Sequence, residues 1–302
     1  MPLYEGPIVD SHHHTIWDCE ANYPWMNAPM RPMIFGDDWS GVKQEYSIEN
    51  FIADNAPHNV TQSVHVQANF DISRPAEETK GLQGFAEQHG FPHGIVAYAD
   101  LTESNIEATL AGHLAYANTR GIRQQVYYHA ENENWRFVDQ PDFCLSNAFR
   151  RGLSALYEHD LTFDWQGFDS QFGALAELAK SHSGLRICLV HAGMLTSLDA
   201  STVNAWTEAL QLLAPRDNVF IKVSGLNTFS RKLDEPMMAH VTDTVLDMFG
   251  ADRCFYGSNF PVEGMWTPLA DYTAAQKRAM AGRSDEVNQK FFHDTAKAFY
   301  RI

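Results

Sequence analysis

Residues 8–14, Ile8-Val-Asp-Ser-His-His-His14, form a short apolar run that ends in three consecutive histidines. Side chains on a β-strand alternate between two faces, so Asp10, His12 and His14 share one face. Two imidazoles separated by one residue on a strand can bind one metal ion or one oxyanion. The histidines lie inside a strand pattern, which argues against a purification tag. We therefore predict a functional site at the end of this strand.

Seven further apolar runs follow, and together they decide the fold class. The predicted strands are 7–14, 60–68, 94–99, 121–127, 161–166, 185–191, 218–224 and 253–258. Amphipathic segments lie between them, and the predicted helices are 75–89, 104–117, 172–181, 203–213 and 237–249. Eight strands alternating with helices predict an α/β fold, a (β/α)8 TIM barrel. An open doubly wound sheet is the alternative, but no glycine-rich phosphate loop follows the first strand.

Two long segments interrupt this alternation. Residues 15–48 are rich in Trp, Met and Pro, and residues 128–147 are polar and aromatic. They follow strands 1 and 4, so both are expected at the C-terminal face of the barrel as covers or binding loops. No internal repeat, low-complexity tract or linker is visible, and we expect one domain over residues 1–302.

Composition restricts the classes of partner. Of 302 residues, 44% are hydrophobic and the net charge is −16, which suits a large globular core and disfavours nucleic acid. The sequence shows no window of ~20 apolar residues and no signal-peptide pattern at its start. The four cysteines are widely spaced, which excludes a zinc–cysteine module. We expect a cytoplasmic protein with a small-molecule substrate and no nucleic-acid or membrane partner. Homo-oligomerisation is left open.

Other candidate site residues lie near predicted strand ends. His191 closes the sixth strand, and Asn259 follows the eighth. Gln67, in the second strand, is a candidate wall residue of the pocket.

Charged and aromatic side chains provide candidates for substrate binding. Arg123 and Lys222 lie in the pocket-forming halves of strands 4 and 7, and either could hold a carboxylate, arginine with bidentate geometry. Trp25 is one of four tryptophans in the two long segments, most of which are expected to pack the loops, with one or two contacting a ligand.

The whole chain resembles a known family. The run Ile8–His14, followed by Trp17-Asp18 and Tyr23-Pro24-Trp25, resembles the start of the amidohydrolase-related lactonases, which include sugar-lactone hydrolases and 2-pyrone-4,6-dicarboxylate lactonase. Further matching motifs include Val64–Ala68, Gly94–Leu101, Arg120–Arg123, Leu161–Asp164, Val190–Gly193, Ile221–Gly225, Gly257–Val262 and Ala298–Arg301.

The resemblance implies roles for matching positions. The family's paired strand-one histidines match His12 and His14, and its strand-six histidine matches His191. Its strand-eight carboxylate, which activates water in the lactonases, matches Asn259. An amide cannot take a proton from water near pH 7.

Another group must therefore serve as the base. The candidates are His191, Glu263 and Asp164. Glu263 is also a candidate for substrate binding.

Whether the site binds a metal is also left open by the sequence. Metal-bearing relatives add a strand-five histidine and a strand-eight aspartate, where this chain has Asp164 and Asn259. His12 and His14 could bind zinc with Asp164, leaving an open position, or with His191. The pyrone lactonases are understood to polarise the lactone carbonyl with histidines and no metal. We favour no obligatory cofactor, with one divalent metal, zinc, as the alternative.

These observations predict a hydrolase that opens a small, acidic lactone by water attack, with the histidines polarising the carbonyl. One alternative is a zinc-dependent decarboxylase or amide hydrolase on the same barrel. The other is a non-catalytic barrel that binds a small molecule.

Overall fold

The computed structural model describes residues 3–302 and contains eight parallel strands. Each strand pairs with the next along the chain, and this confirms the predicted (β/α)8 TIM barrel. The strands are β1 Ile8–His13, β2 Val60–Val66, β3 Gly94–Ala97, β4 Thr119–Gln125, β5 Thr162–Gln166, β6 Ile187–Leu189, β7 Val219–Val223 and β8 Cys254–Tyr256.

The barrel closes between β1 and the residues that follow β8. The backbone N–H of Asn259 donates to the His12 carbonyl over 2.7 Å. The Asp10 carboxylate accepts from the backbone N–H of Ser258 over 2.9 Å and from its hydroxyl over 2.6 Å. A Cβ at Gly257 would lie 2.7 Å from the His12 Cβ, so only glycine permits this approach of the two chains.

The helices surround the strands. They are α1 Cys19–Asn22, α2 Pro24–Asn27, α3 Ile48–Asn55, α4 Pro75–His89, α5 Ile106–Leu114, α6 Asn147–Glu158, α7 Phe172–Ser181, α8 Ala200–Leu213, α9 Glu235–Phe249, α10 Leu269–Ala279, α11 Asp285–Gln289 and α12 Thr295–Tyr300. The five predicted helices correspond to α4, α5, α7, α8 and α9. Helix α9 begins two residues before the predicted start, because the Asp234 side chain caps it by accepting from the Met237 N–H over 3.0 Å.

Side chains alternate between the two faces of each strand, and the apolar residues therefore form two separate clusters. On β6, Ile187 and Leu189 pack in the large outer cluster, whereas Cys188 packs in a second cluster. Phe299 and Tyr300 of α12 belong to this second cluster, together with the strand residues Val9, Val64, Val66, Val96 and Phe255 and with Val190, which follows β6. The end of the chain therefore fills part of the barrel interior.

The predicted end of β6 is wrong. The strand stops at Leu189, because residues 191–194 form a left-handed turn with φ of 56° at His191, 48° at Ala192, 76° at Gly193 and 57° at Met194. Each non-glycine residue in this conformation costs roughly 1–2 kcal/mol. The indole N–H of Trp206 donates to the Ala192 carbonyl over 2.8 Å and helps to hold the turn.

The segments after β1 and β4 are long, as predicted. Residues 14–47 contain α1, α2 and short turns, and residues 126–146 contain two short 3-10 turns. Over residues 3–302, no helix combines the length and the apolar character needed to cross a membrane.

Candidate active site

Three predicted histidines meet at the C-terminal end of the barrel. His12 lies in β1 and His14 directly follows it, and their ring centroids lie 5.0 Å apart. The left-handed turn after β6 brings the His191 ring to 4.8 Å from the His12 ring. All three side chains are buried, with exposed fractions of 8% or less. The cluster is therefore shielded from bulk water.

Hydrogen bonds fix the orientation of two of these rings. His14 Nδ1 lies 2.7 Å from the Val66 carbonyl oxygen, and His191 Nδ1 lies 2.8 Å from the Ser224 hydroxyl. Neither ring nitrogen of His12 has a hydrogen-bond partner among the described residues. His12 therefore retains its full hydrogen-bonding capacity for a ligand.

Burial keeps the three imidazoles neutral. It is the largest cause that lowers the pKa of His12 and His14 well below the ordinary value, and the pKa of His191 to about 3. The positive charge of Lys222 adds to the effect at His12, and that of Arg123 adds to it at His14 and His191. At pH 7 each ring therefore has one N–H donor and one acceptor nitrogen.

Because the His14 ring is neutral, its hydrogen bond to Val66 determines which of its two nitrogens donates and which accepts. A carbonyl oxygen only accepts, so the proton of His14 resides on Nδ1, where Val66 binds it. Nε2 of His14 is then an acceptor. Contrary to the role expected from the sequence, His14 cannot polarise a carbonyl from Nε2, but it can accept a hydrogen bond or a proton there.

The predicted site residues Asp164 and Lys222 bind each other. The Lys222 ammonium lies 2.7 Å from Asp164 Oδ2, and both groups are fully buried. The Tyr300 hydroxyl lies 2.9 Å from each oxygen of the same carboxylate. Lys222 is therefore not a free cation for substrate, and Asp164 is not a free base.

The predicted zinc ligands do not fit a metal site. His12 and His14 present suitable nitrogens, but the Asp164 oxygens are bound by Lys222 and Tyr300. Within residues 3–302, no three His, Cys, Asp or Glu side chains are grouped closely enough to hold one ion. The structure thus does not bring the predicted His12, His14 and Asp164 triad together.

Arg123 is a buried cation that forms no salt bridge with any carboxylate of residues 3–302. Its side chain is 4% exposed, and its guanidinium donates to the Gln67 carbonyl oxygen. Nε of Arg123 and Nε2 of Gln67 have no hydrogen-bond partner in the described chain. Burial lowers the Arg123 pKa to about 10, so the group stays charged at pH 7. Such a group is suited to an anion.

Glu263 is fully buried, and its backbone N–H donates to the Asn259 carbonyl over 3.2 Å. Its carboxylate accepts from the Asn227 backbone N–H and from the Thr228 hydroxyl, each over 3.1 Å. Burial raises the Glu263 pKa to about 7, against the opposing effect of hydrogen bonds from Thr228, Asn227 and the Asn259 side chain. Glu263, in the segment after β8, thereby binds the loop after β7, and its contact with substrate stays a prediction.

Trp25 packs the long loop after β1. Its indole N–H donates to the Ala68 carbonyl over 3.0 Å, and its ring lies 5.9 Å from that of Trp39. Ile34 from the same loop joins an apolar cluster with residues that follow β4, β5, β6 and β7. This lid cluster comprises Ile34, Phe35, Tyr127, Trp135, Phe168, Met194 and Phe229. Its members follow the C-terminal ends of the strands, so the cluster lies at the C-terminal face of the barrel.

Several supporting residues were not predicted from the sequence. Ser224 lies two residues after Lys222 on the same predicted face, so strand alternation could have identified it. The Val66 carbonyl belongs to the backbone, so the type of residue at this position could not have indicated its role. Tyr300 is separated from Asp164 by 136 positions, and no local pattern connects them.

Comparison with known proteins supports the same family along nearly the whole chain. An uncharacterised protein of Sinorhizobium fredii is 35% identical over 98% of both chains. An L-fucono-1,5-lactonase of Burkholderia ambifaria is 27% identical over 75% of this chain and 76% of its own length.

A crystal structure of an amidohydrolase from Burkholderia multivorans with bound zinc has the same fold. Its TM-score is 0.81 at 24% identity, over 98% of this chain and 100% of that one. The amidohydrolase family model matches residues 9–302. The chain therefore belongs to the amidohydrolase family.

Proposed function

We propose that this protein hydrolyses a small lactone that carries a carboxylate. One observation carries the proposal: a buried cluster of three neutral histidines lies near a buried arginine that forms no salt bridge within residues 3–302. The similarity to an L-fucono-1,5-lactonase agrees with a cyclic ester as substrate.

His12 and His14 have complementary roles in the proposed reaction. Water attacks the lactone carbonyl carbon and transfers a proton to His14 Nε2. The N–H of His12 donates to the carbonyl oxygen, on which negative charge develops. When the tetrahedral intermediate collapses, the ring C–O bond breaks and the leaving alkoxide takes the proton back from His14. Hydrolysis then yields one hydroxy acid, with no net change in the enzyme.

Arg123 and Asn259 position the reactants. The Arg123 guanidinium binds the carboxylate of the substrate, because burial strengthens a charge-assisted hydrogen bond. Asn259 accepts a hydrogen bond from the attacking water without taking its proton. The lid cluster excludes bulk water. No step in this proposal requires a metal.

A panel of acidic and neutral lactones, assayed with and without chelator, tests the proposal. We expect turnover of an acidic lactone that survives chelation. Stoichiometric metal that is lost together with activity would instead favour a zinc-dependent decarboxylase or amide hydrolase. Tight lactone binding without turnover would favour a non-catalytic barrel.

Arg123→Met is expected to raise KM for an acidic lactone about 10–100-fold, since a charged hydrogen bond contributes about 1.5–3 kcal/mol. KM for a neutral lactone of the same ring should change little. Steady-state kinetics on this substrate pair provide the measurement. Arg120→Met is the matched control, because Arg120 lies near the opposite end of β4 and binds the Arg301 carbonyl. An equal rise in KM for both lactones would contradict carboxylate binding by Arg123.

A further inference from the structure

We propose that His65 is a positioning residue that anchors the main chain beside His14 and thereby places the His14 ring for the proposed reaction. Its side chain accepts a hydrogen bond from the backbone N–H of Thr15, the residue that follows His14. This inference rests on the proposed function, since it concerns the nitrogen of His14 that takes a proton from water in that reaction.

Two hydrogen bonds anchor the main chain just beyond the end of β1 at His13. The N–H of His14 donates to the Phe260 carbonyl over 2.7 Å, and the N–H of Thr15 donates to Nδ1 of His65 over 3.0 Å. Thr15 is fully buried, and a buried backbone N–H needs an acceptor. Because that acceptor is a side chain, the main chain at this point depends on the type of residue at position 65.

The surroundings of His65 define its tautomer. A backbone N–H only donates, so Nδ1 of His65 accepts and the ring proton lies on Nε2. Nε2 lies 3.5 Å from Oε1 of Glu78, which is an electrostatic contact rather than a hydrogen bond. Glu78 is 1% exposed and also accepts from the Ala68 N–H over 3.0 Å. A fixed carboxylate beside Nε2 favours the tautomer that the contact with Thr15 requires.

Consecutive residues of β2 bind the two parts of His14. The Val66 carbonyl lies 2.7 Å from Nδ1 of the His14 ring, and His65 binds the N–H that follows His14 in the main chain. The His14 and His65 rings also meet edge to face, with centroids 6.2 Å apart. Strand β2 therefore fixes the main chain and the ring together, and the position of Nε2 of His14 follows from both contacts.

The proposed reaction is sensitive to this position. A general base must lie within hydrogen-bond reach of the proton that it takes. A displacement of about 1 Å at a reacting group can cost about 10²-fold in rate. Without an acceptor on residue 65, the buried N–H of Thr15 loses its partner, and the main chain shifts to pair it again. The adjacent His14 shifts with it.

Two substitutions of His65 test the proposal by kinetics, because each preserves the function of one ring nitrogen. In His65→Asn the amide oxygen takes the place of Nδ1 and accepts from Thr15. In His65→Gln the longer amide reaches toward Glu78, and no acceptor remains in the place of Nδ1. We expect kcat within about fivefold of wild type for His65→Asn and about 10–100-fold lower for His65→Gln, with KM within about threefold in both.

A purely structural role predicts a different result. Both substitutions remove a buried imidazole and should lower the melting temperature, but a structural role gives no reason for kcat to follow the acceptor. Equal kcat in His65→Asn and His65→Gln would therefore overturn the proposal. In a His14→Ala background, His65→Gln should change kcat less than about threefold, because no base remains to be positioned. The same loss in both backgrounds would also contradict the proposal.

The matched control is His113, another fully buried histidine. Its Nδ1 lies 2.7 Å from the Thr79 hydroxyl and its Nε2 lies 2.9 Å from the Tyr98 carbonyl oxygen, so both ring nitrogens are bound outside the site. We expect His113→Gln to lower the melting temperature and to leave kcat within about threefold of wild type.

A measurement on the wild-type protein needs neither turnover nor a folded variant, and keeps this inference separate from the proposed function. A hydrogen bond from N–H to a nitrogen transmits a scalar coupling between the two nitrogens. In 15N-labelled protein we expect this coupling between the Thr15 amide and Nδ1 of His65. Its absence would refute the contact on which the positioning depends, whereas failure of the whole lactone panel would refute only the proposed reaction.

Discussion

His12→Ala is expected to lower kcat of the best lactone about 10²–10³-fold, the usual effect of removing one oxyanion donor. His14→Ala should lower kcat about 10²–10⁴-fold, the range for a general base. These roles differ because neither ring nitrogen of His12 has a hydrogen-bond partner within residues 3–302, whereas the Val66 carbonyl binds Nδ1 of His14 and leaves Nε2 as its acceptor nitrogen. Steady-state kinetics with circular dichroism of each variant provide the measurement.

The adjacent His13 is the matched control. Its ring stacks on Phe51 at 3.9 Å, and its Nε2 lies 3.0 Å from the Ser63 hydroxyl, so it belongs to the packing outside the cluster. We expect His13→Ala to lower the melting temperature and to leave kcat within about threefold of wild type. Full turnover by either His12→Ala or His14→Ala would refute the assigned roles.

Strand periodicity predicted much of the fold and part of the site. Side chains along a strand return to the same face every two residues, so this alternation predicted that His12 and His14 lie on one face. The eight apolar runs predicted the number of strands. The end of β6 was not predictable in this way, because the left-handed turn at His191 is stabilised by tertiary contacts such as that of Trp206. Local sequence does not encode a conformation that distant residues impose.

The sequence also could not show which charged side chains form ion pairs inside the barrel. The sequence offered Asp164 as a candidate base and Lys222 as a candidate cation for substrate, but it could not show that they bind each other instead of a ligand. Their ion pair changes the electrostatics of the site, because Lys222 has a carboxylate in direct contact, whereas Arg123 donates to the Gln67 carbonyl and forms no salt bridge within residues 3–302. In a chain with a net charge of −16, an anionic substrate is then attracted by a local field within an overall repulsive one.

Breaking the Asp164–Lys222 pair is expected to have the largest effect on stability. Lys222→Met leaves the buried Asp164 carboxylate with Tyr300 as its one hydrogen-bond donor from residues 3–302, and should lower the free energy of unfolding by about 3–5 kcal/mol. Removing both charges with Asp164→Leu and Lys222→Met should recover much of this loss, because apolar groups of similar volume need no compensation. Urea denaturation followed by tryptophan fluorescence measures both differences.

An exposed pair offers the matched control. Arg278 and Glu235 lie 2.7 Å apart with side chains that are 45% and 47% exposed, so Arg278→Met should cost only about 0–1 kcal/mol. The contrast follows from solvation, since water replaces the lost partner at the surface but not inside the barrel. If Lys222→Met were as mild as Arg278→Met, water or another cation would have to reach Asp164. The barrel interior around Tyr300 would then be open to solvent, contrary to the packing of α12 against the strands.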